Sequence, residues 1–153
     1  SNRRQNILQL LAEEALKSTM QHQVSACIVN GDSIVSIGHN KHVVSGGIRI
    51  SCFYIERTIH AEVDAIYRLI KKYGKTATQK ILKRATLYVA RIGVIPIEDD
   101  TEKCLNHTRI TRLERLKHQS NDERDTYFKY SKPCKGCQKY IRHFQIPRIY
   151  YTQ

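Results

Sequence analysis

The sequence predicts an α/β protein, a mixed or parallel central sheet covered by helices on both faces. Three observations carry that prediction. Segments with apolar residues at helical spacing alternate with β-branched runs, in the order α-β-β-α-β-insertion-α-β. Strands joined through helices belong to sheets covered on both sides. The central helical segment is apolar on two faces, as a helix buried between neighbours must be.

Each element has its own signal. Residues 4–19 read as a helix, because Leu8, Leu11, Ala12 and Ala15 share a stripe that no Gly or Pro interrupts. Residues 24–29 are β-branched and apolar and read as a buried strand. Asn30-Gly31-Asp32 marks a hairpin, since Asn and Gly tolerate the positive φ of tight turns, and residues 34–38 return from it. Residues 40–58, with Gly46-Gly47, read as a long loop. The next helix starts near His60 with Thr58 as N-cap. Val63, Ile66, Tyr67 and Ile70 line one of its faces, Ala61, Ala65 and Leu69 another, and Tyr73-Gly74 ends it. Residues 76–84 add a turn or two of helix, and residues 85–92 form a third strand. Residues 94–130 are polar and rich in Arg and Asp, with a helix expected over 103–118 through Ile110, Leu113 and Leu116. Pro133 opens the last helix, 134–144, with Cys137, Ile141 and Phe144 on one face. Residues 148–152 close as a strand.

Composition bounds the function. At 153 residues the chain suits one domain with one core, and residues 1–153 are expected to form it. A hydrophobic fraction of 41% with 26% charged residues excludes a disordered chain. No apolar run approaches a membrane span, and the polar, basic start is not that of a signal peptide. Five cysteines exclude complete internal pairing. Cys27 sits in an apolar run, Cys52 and Cys104 in expected loops, and only Cys134 and Cys137 have a telling spacing. That pattern points to metal or catalytic use in a reducing, intracellular compartment, cytoplasm or nucleus. The formal net charge of +12 favours an anionic partner, nucleic acid or nucleotide, although a well-solvated basic surface carries the same charge.

The chemistry concentrates in His60-Ala61-Glu62 and Pro133-Cys134-Lys135-Gly136-Cys137. A catalytic zinc takes three protein ligands and keeps one position open for water. Cys134 and Cys137 lie three apart in a helix's first turn, so they project from one face toward one ion. The helix N-terminus there stabilises thiolate, the form that binds metal. His60, at another helix start, supplies the third ligand. Glu62, two residues on, reaches the water without ligating the metal; zinc lowers that water's pKa toward about 7, and Glu62 moves its protons. H-x-E followed by P-C-x-x-C is the signature of zinc deaminases acting on nucleobases. A closed structural zinc site is the alternative, with Cys52, Cys104 or His107 as a fourth ligand. Asp64 reads as a solvated, helix-start carboxylate and not as a catalytic group.

With these motifs in this order, the chain resembles the cytidine deaminase-like superfamily, in the branch whose first zinc ligand is His. That branch holds deoxycytidylate deaminases, tRNA adenosine deaminases and the APOBEC/AID polynucleotide cytosine deaminases. The resemblance covers the first helix, the Asn-Gly hairpin, the HAE helix, the LYVAR strand, the PCKGC helix and the IYYT strand. It implies a three-layer α/β/α sandwich with a mixed central sheet. It implies one zinc per chain on His60, Cys134 and Cys137, with Glu62 as proton shuttle. The family places an Asn at the end of its second strand to contact the nucleoside, and Asn40 matches that place, though a turn-forming role fits it too. Ser131 matches the S-x-P-C form of the polynucleotide enzymes. Two departures stand out. About forty residues separate Ile92 from Pro133, where relatives run almost directly on, so 94–130 is an insertion beside the pocket. Nothing after Thr152 matches the family's fifth strand and closing helix, which implies a pared-down fold or a fragment.

Residues 103–148 hold twelve Lys or Arg against four Asp or Glu, a net of +8. Tyr127, Phe128 and Tyr130 interleave there with Lys129 and Lys132. Aromatic and basic residues near a deaminase pocket stack bases and hold phosphates, which makes Tyr130, Lys132, Arg109, Arg112 and Arg115 candidates for nucleic-acid contact. A strand with aromatics packed inward and lysines outward gives the same pattern. The expected activity is conversion of cytosine to uracil in a polynucleotide or a cytidine or deoxycytidine nucleotide. A free-deoxycytidylate enzyme, an adenosine deaminase acting on RNA, and a catalytically silent zinc-bound nucleic-acid module are the alternatives. Oligomeric state stays open, a homodimer included.

Overall fold

A computed structural model describes residues 2–44, 46–96, 115–117 and 124–153. Helix α1, Asn2–Ala15, leads into strand β1, Gln23–Asn30, and β2, Ser33–His39. The helix stops short of the expected residue 19. The Ser18 hydroxyl accepts the Met20 N–H at 3.3 Å, and its carbonyl accepts from Gln23 Nε2 at 3.0 Å, offering the backbone a turn in place of another helical bond. The Asn-Gly hairpin forms as its residues dictate: Asn30 pairs with Ser33, and Gly31 takes a φ of 62°.

The expected loop over 40–58 is instead two nested hairpins. The outer pairs β3, Lys41–His42, with β6, Thr58–Ile59; the inner pairs β4, Ile48–Ile50, with β5, Phe53–Ile55. Thr58 is therefore a strand residue and not a cap. Helix α2, Ala61–Tyr73, starts from His60, whose extended backbone stands at the N-cap without a side-chain cap bond. Gly74, at φ 84°, ends α2 and starts α3, Lys75–Leu82.

Strand β7, Thr86–Pro96, is the spine of the sheet and runs past the expected end at Ile92. Two further strands come from the segment expected to be an insertion: β8, Arg115–Lys117, and β9, Arg124–Lys129. Residues 115–117 are thus strand where the end of a helix over 103–118 was expected; residues 103–114 and 118 lie outside the described residues. Helix α4, Lys135–His143, and β10, Arg148–Tyr151, complete the chain. Cys134, not Pro133, takes the position just before α4, with Pro133 one residue further out.

The sheet order is β2-β1-β7-β9-β8, with β10 also on β7. One edge of β7 pairs with β1 along Thr86 to Ile92. The other edge is shared: β10 lies parallel along Thr86 to Val89, and β9 antiparallel along Arg91 to Pro96. The sheet is mixed, as expected. Its alternating side chains serve two cores. Ala26, Ile28, Leu87 and Val89 pack with residues of α2, α3 and α4, including Ile66, Leu82 and Ile141. Cys27, Val29, Ala90 and Ile92 pack with Ile7, Leu11 and Ala15 of α1. The result is three layers, with α1 on one face and α2, α3 and α4 on the other. Gly38 lets α2 come this close: a Cβ there would meet Ala65 N at 2.7 Å and an Asp64 carboxylate oxygen at 2.8 Å.

Candidate active site

The helix starts of α2 and α4 bring three ligand-bearing side chains together. His60 Nδ1 lies 3.5 Å from Cys134 Sγ and 3.3 Å from Cys137 Sγ. All three atoms sit within 4.8 Å of one another, His60 and Cys134 exposed and Cys137 buried. Among the described residues no fourth His, Cys, Asp or Glu joins them. Cys52 is exposed and outside the cluster, while Cys104 and His107 lie outside the described residues. These separations fit one tetrahedral zinc, for which bonds of about 2.0–2.1 Å to nitrogen and 2.3 Å to sulfur put the donor atoms about 3.5 Å apart. The electrostatics fit too. Burial pushes the Cys137 thiol up, and the neighbouring Glu62 and Cys134 push the same way. Negative charge gathered in a buried spot calls for a cation. Cys27, buried in the other core, is pushed up to about 12 by burial and has no such company.

A cavity of about 470 Å³ opens in front of this cluster, within the range of small-molecule sites. His60, Glu62 and Cys134 line it, and Glu62 is the only carboxylate that does so among the described residues. Asn40, Tyr130, Ser131 and Lys132 line it as well. Seven of the side chains singled out in the sequence thus share one space, from the start of α2, the residue after β2 and the approach to α4.

Their states differ. Asn40 is buried and held: its Oδ1 accepts from Val24 N–H at 3.0 Å, and its Nδ2 donates to the His22 carbonyl at 2.5 Å. One Nδ2 hydrogen is left over. Ser131 is buried, and its hydroxyl serves the fork where β9 leaves β7 and β10 arrives. It donates to Val89 O at 2.9 Å and accepts from Thr152 N–H at 2.8 Å. Tyr127 and Phe128 pack into the fold, while Tyr130 is 59% exposed. The inward-packing explanation therefore holds for two of the three aromatics. Arg115 opens β8; Arg109 and Arg112 lie outside the described residues.

Asp64 corrects the expectation of a solvated carboxylate. It is fully buried and meets Lys41 at 3.0 Å, Arg68 at 3.1 Å and the His39 N–H at 3.2 Å. Sequence reasoning also missed His22 and Arg91. Both line the cavity, and Arg91 Nη2 lies 2.6 Å from His22 Nδ1. His22 sits in no motif and Arg91 ends the LYVAR strand without a role of its own there; a loop before β1 and the middle of β7 meet here because those strands are neighbours.

A three-layer α/β/α fold with a His/Cys/Cys cluster at two helix starts defines a metalloprotein with a nucleobase-deaminase architecture. The comparisons say which: the model for the cytidine and deoxycytidylate deaminase zinc-binding region matches residues 1–153, and the chain belongs to that family. Two solved structures share the fold, both dCMP deaminase from the cyanophage S-TIM5. The apo form matches at TM-score 0.52 with 17% identity over 96% of this chain and 79% of that one. The complex with dCMP and dUMP matches at TM-score 0.52 with 15% identity over 97% and 79%. No curated protein sequence matches. Among the described residues no helix is long and apolar enough to cross a membrane.

Proposed function

We propose that this protein is a zinc-dependent hydrolase, one deaminase domain over residues 1–153, that converts cytosine to uracil in a nucleotide. The observation that carries the reading is the convergence of His60, Cys134 and Cys137 beside a cavity whose only carboxylate among the described residues is Glu62. Family membership supports a cytosine ring over an adenine ring, and the deaminase with dCMP and dUMP bound supports a nucleotide. A catalytically silent zinc module has no use for a carboxylate at this place.

His60, Cys134 and Cys137 would hold the zinc, which when bound supplies Lewis acidity to a water molecule. The reaction consumes water and releases ammonia. Glu62, 4% exposed, has little competing solvent to exchange protons with. It takes one proton from the attacking water and delivers it to the ring nitrogen beside the reacting carbon, then takes the second from the hydroxyl left on that carbon and passes it to the departing amine as the carbonyl forms. Asn40, with its amide fixed on two backbone groups, offers its remaining N–H to the sugar. The test is release of ammonia from deoxycytidylate, deoxycytidine and single strands by the zinc-loaded protein. Ammonia release from the matching adenosine compounds but from none of these would overturn the base assignment.

A second reading, a polynucleotide substrate, is favoured by exposed Tyr130 and Lys132 at the rim and by the net +8 of residues 103–148. It predicts binding to a single strand that weakens with salt at a log–log slope of about −0.7 per phosphate contact. Charge reversal at Arg109, Arg112 and Arg115 should flatten that slope and leave zinc in place.

A further inference from the structure

We infer that the end of the molecule opposite the cavity is a docking surface for the phosphate backbone of a nucleic acid, formed by the last turn of α2, by α3 and by the start of β10. This surface stands apart from the cavity, so it does not depend on what the cavity does. It holds the protein on a strand or a duplex and presents no base for reaction.

The topology gathers three elements at that end. Helix α2 begins at the cavity, where Ala61 and Glu62 line it, and its last turn lies about 15 Å further on at about 1.5 Å per residue. Strand β7 reaches the cavity with Arg91 and begins at Thr86, about 17 Å back at about 3.3 Å per residue. Thr86 pairs with Arg148, the first residue of β10. Helix α3 lies across this end, because it starts directly after α2 and finishes just before β7.

Six exposed cations stand here: Lys71 and Lys72 in the last turn of α2, Lys75 at the start of α3, Lys83 and Arg84 after it, and Arg148. None forms an ion pair among the described residues. Residues 65–97 and 126–153 contain no Asp or Glu at all. The turn after β1 shares this end of the sheet, since Val29 pairs with Thr86, but its Asp32 is taken by Arg3 at 2.9 Å. The fold accounts for only part of the charge. Lys71 and Lys72 complement the negative end of the α2 dipole, whereas Lys75 opposes that of α3, whose first turn has no acid and no side-chain cap. Arg148 is held in place: its Nε donates to Thr86 Oγ1 at 2.9 Å and its Nη2 to the Arg84 carbonyl at 3.2 Å, which leaves Nη1 for an acceptor. The makeup of the surface selects the partner. Lysine is depleted where proteins meet, and such interfaces have an apolar centre. Of the exposed large apolar side chains among the described residues, only Tyr73 belongs to α2, α3 or α4, so the surface offers neither that centre nor a stripe to enter a membrane. Clustered lysines without counter-charges fit a polyphosphate, where each neutralised phosphate releases counterions.

Fluorescence anisotropy tests this with two labelled probes: an oligothymidylate of about 20 residues, which has no exocyclic amine to lose, and a duplex of the same length. At least one should bind the purified protein with a log–log salt slope of about −4 for a strand or about −5 for a duplex, six phosphate contacts in either case. The tighter probe tells strand from duplex. Lys72→Gln, Lys75→Gln and Lys83→Gln together should lower the slope by about 2 to 3, and Arg at the same three positions should keep it. Each single Gln variant should lower it by about 0.7 to 0.9, which tests the surface even if the triple variant fails to fold. Saturating deoxycytidylate should leave the probe bound. Displacement by deoxycytidylate, or binding lost in Lys132→Gln and kept in the triple variant, puts the strand at the cavity and overturns the inference. A slope unchanged in the Gln variants overturns it too, as does binding of phosphatidylserine vesicles and of neither probe. Absence of ammonia release with the salt slopes intact counts against the deaminase reading alone.

Discussion

Glu62 and Asp64 stand two residues apart in the first turn of α2, both out of water, in opposite surroundings. Glu62 is 4% exposed, lines the cavity, forms no ion pair among the described residues and has the Cys137 thiol for a neighbour. Asp64 is 0% exposed and is met by Lys41, Arg68 and a backbone N–H. One carboxylate is left with reactive capacity; the other is spent on structure. Burial alone does not mark a catalytic acid. The surroundings separate the two: Asp64 is held by Lys41, Arg68 and a backbone N–H, while Glu62 faces the cavity. Asp64 also joins Glu14, which bonds His39 at 3.0 Å and Lys17 at 2.9 Å, through the shared partner Arg68. That network clamps α1, β2 and α2 together directly behind Asn40.

The harshest way to break the comparison is to remove the metal. Cys134→Ala with Cys137→Ala should lower bound zinc from about one equivalent per chain to none, by elemental analysis, and turnover should vanish with it. Full zinc in the double variant would leave the ligand assignment without support. Next in size, Glu62→Gln should keep zinc and thermal stability while turnover drops by at least about 10²–10⁴-fold. Activity within a few-fold of wild type would remove Glu62 from the proton path.

Asp64 should fail in the other currency. Asp64→Ala leaves Lys41 and Arg68 without their buried partner, which costs about 3–5 kcal/mol for a fully buried pair. Both cations are 37% exposed and turn partly to water, so the lower end of that range is expected in denaturant melts. Zinc content and the turnover of the folded fraction should fall far less than in Glu62→Gln. If Asp64→Ala instead melts like wild type and loses turnover, the two carboxylates have been given each other's roles.

That contrast also shows what the sequence could and could not reveal. The helices, the Asn-Gly hairpin and the central strands were legible because period and turn chemistry are local. The cluster of candidate metal ligands was legible because His60, Cys134 and Cys137 stand at helix starts, where spacing dictates direction. The environment of Asp64 was not legible: its partners come from positions 39, 41 and 68, and only the approach allowed by Gly38 brings them together. The nested hairpins of β3 to β6 were hidden because strands of two and three residues are too short for an alternating pattern. Strand β9 was legible only as one of two readings of its aromatic and basic residues, because its partner on β7 lies some thirty residues away in sequence, and β8, three residues long and paired with β9, was too short for a pattern. His22 and Arg91 were hidden by the same kind of distance.

The smallest predicted effect concerns the outer member of the clamp, Glu14, and uses pH to resolve it. Burial alone would raise its carboxyl, but Lys17, His39 and Arg68 outweigh burial and hold it below the ordinary value of 4.5. A carboxyl depressed in the folded state binds protons more weakly there than in the unfolded chain. Its contribution to stability is therefore complete above about pH 4.5 and is lost as pH falls through the lower folded value. Glu14→Gln should melt below wild type at neutral pH, and the gap should close as both are acidified toward about pH 3. Because the clamp sits behind Asn40 and not at Glu62, substrate affinity should respond more than the turnover number in this variant at pH 7. A melting gap that stays constant across the acid range would mean that Glu14 contributes by packing and hydrogen bonding alone, without its charge.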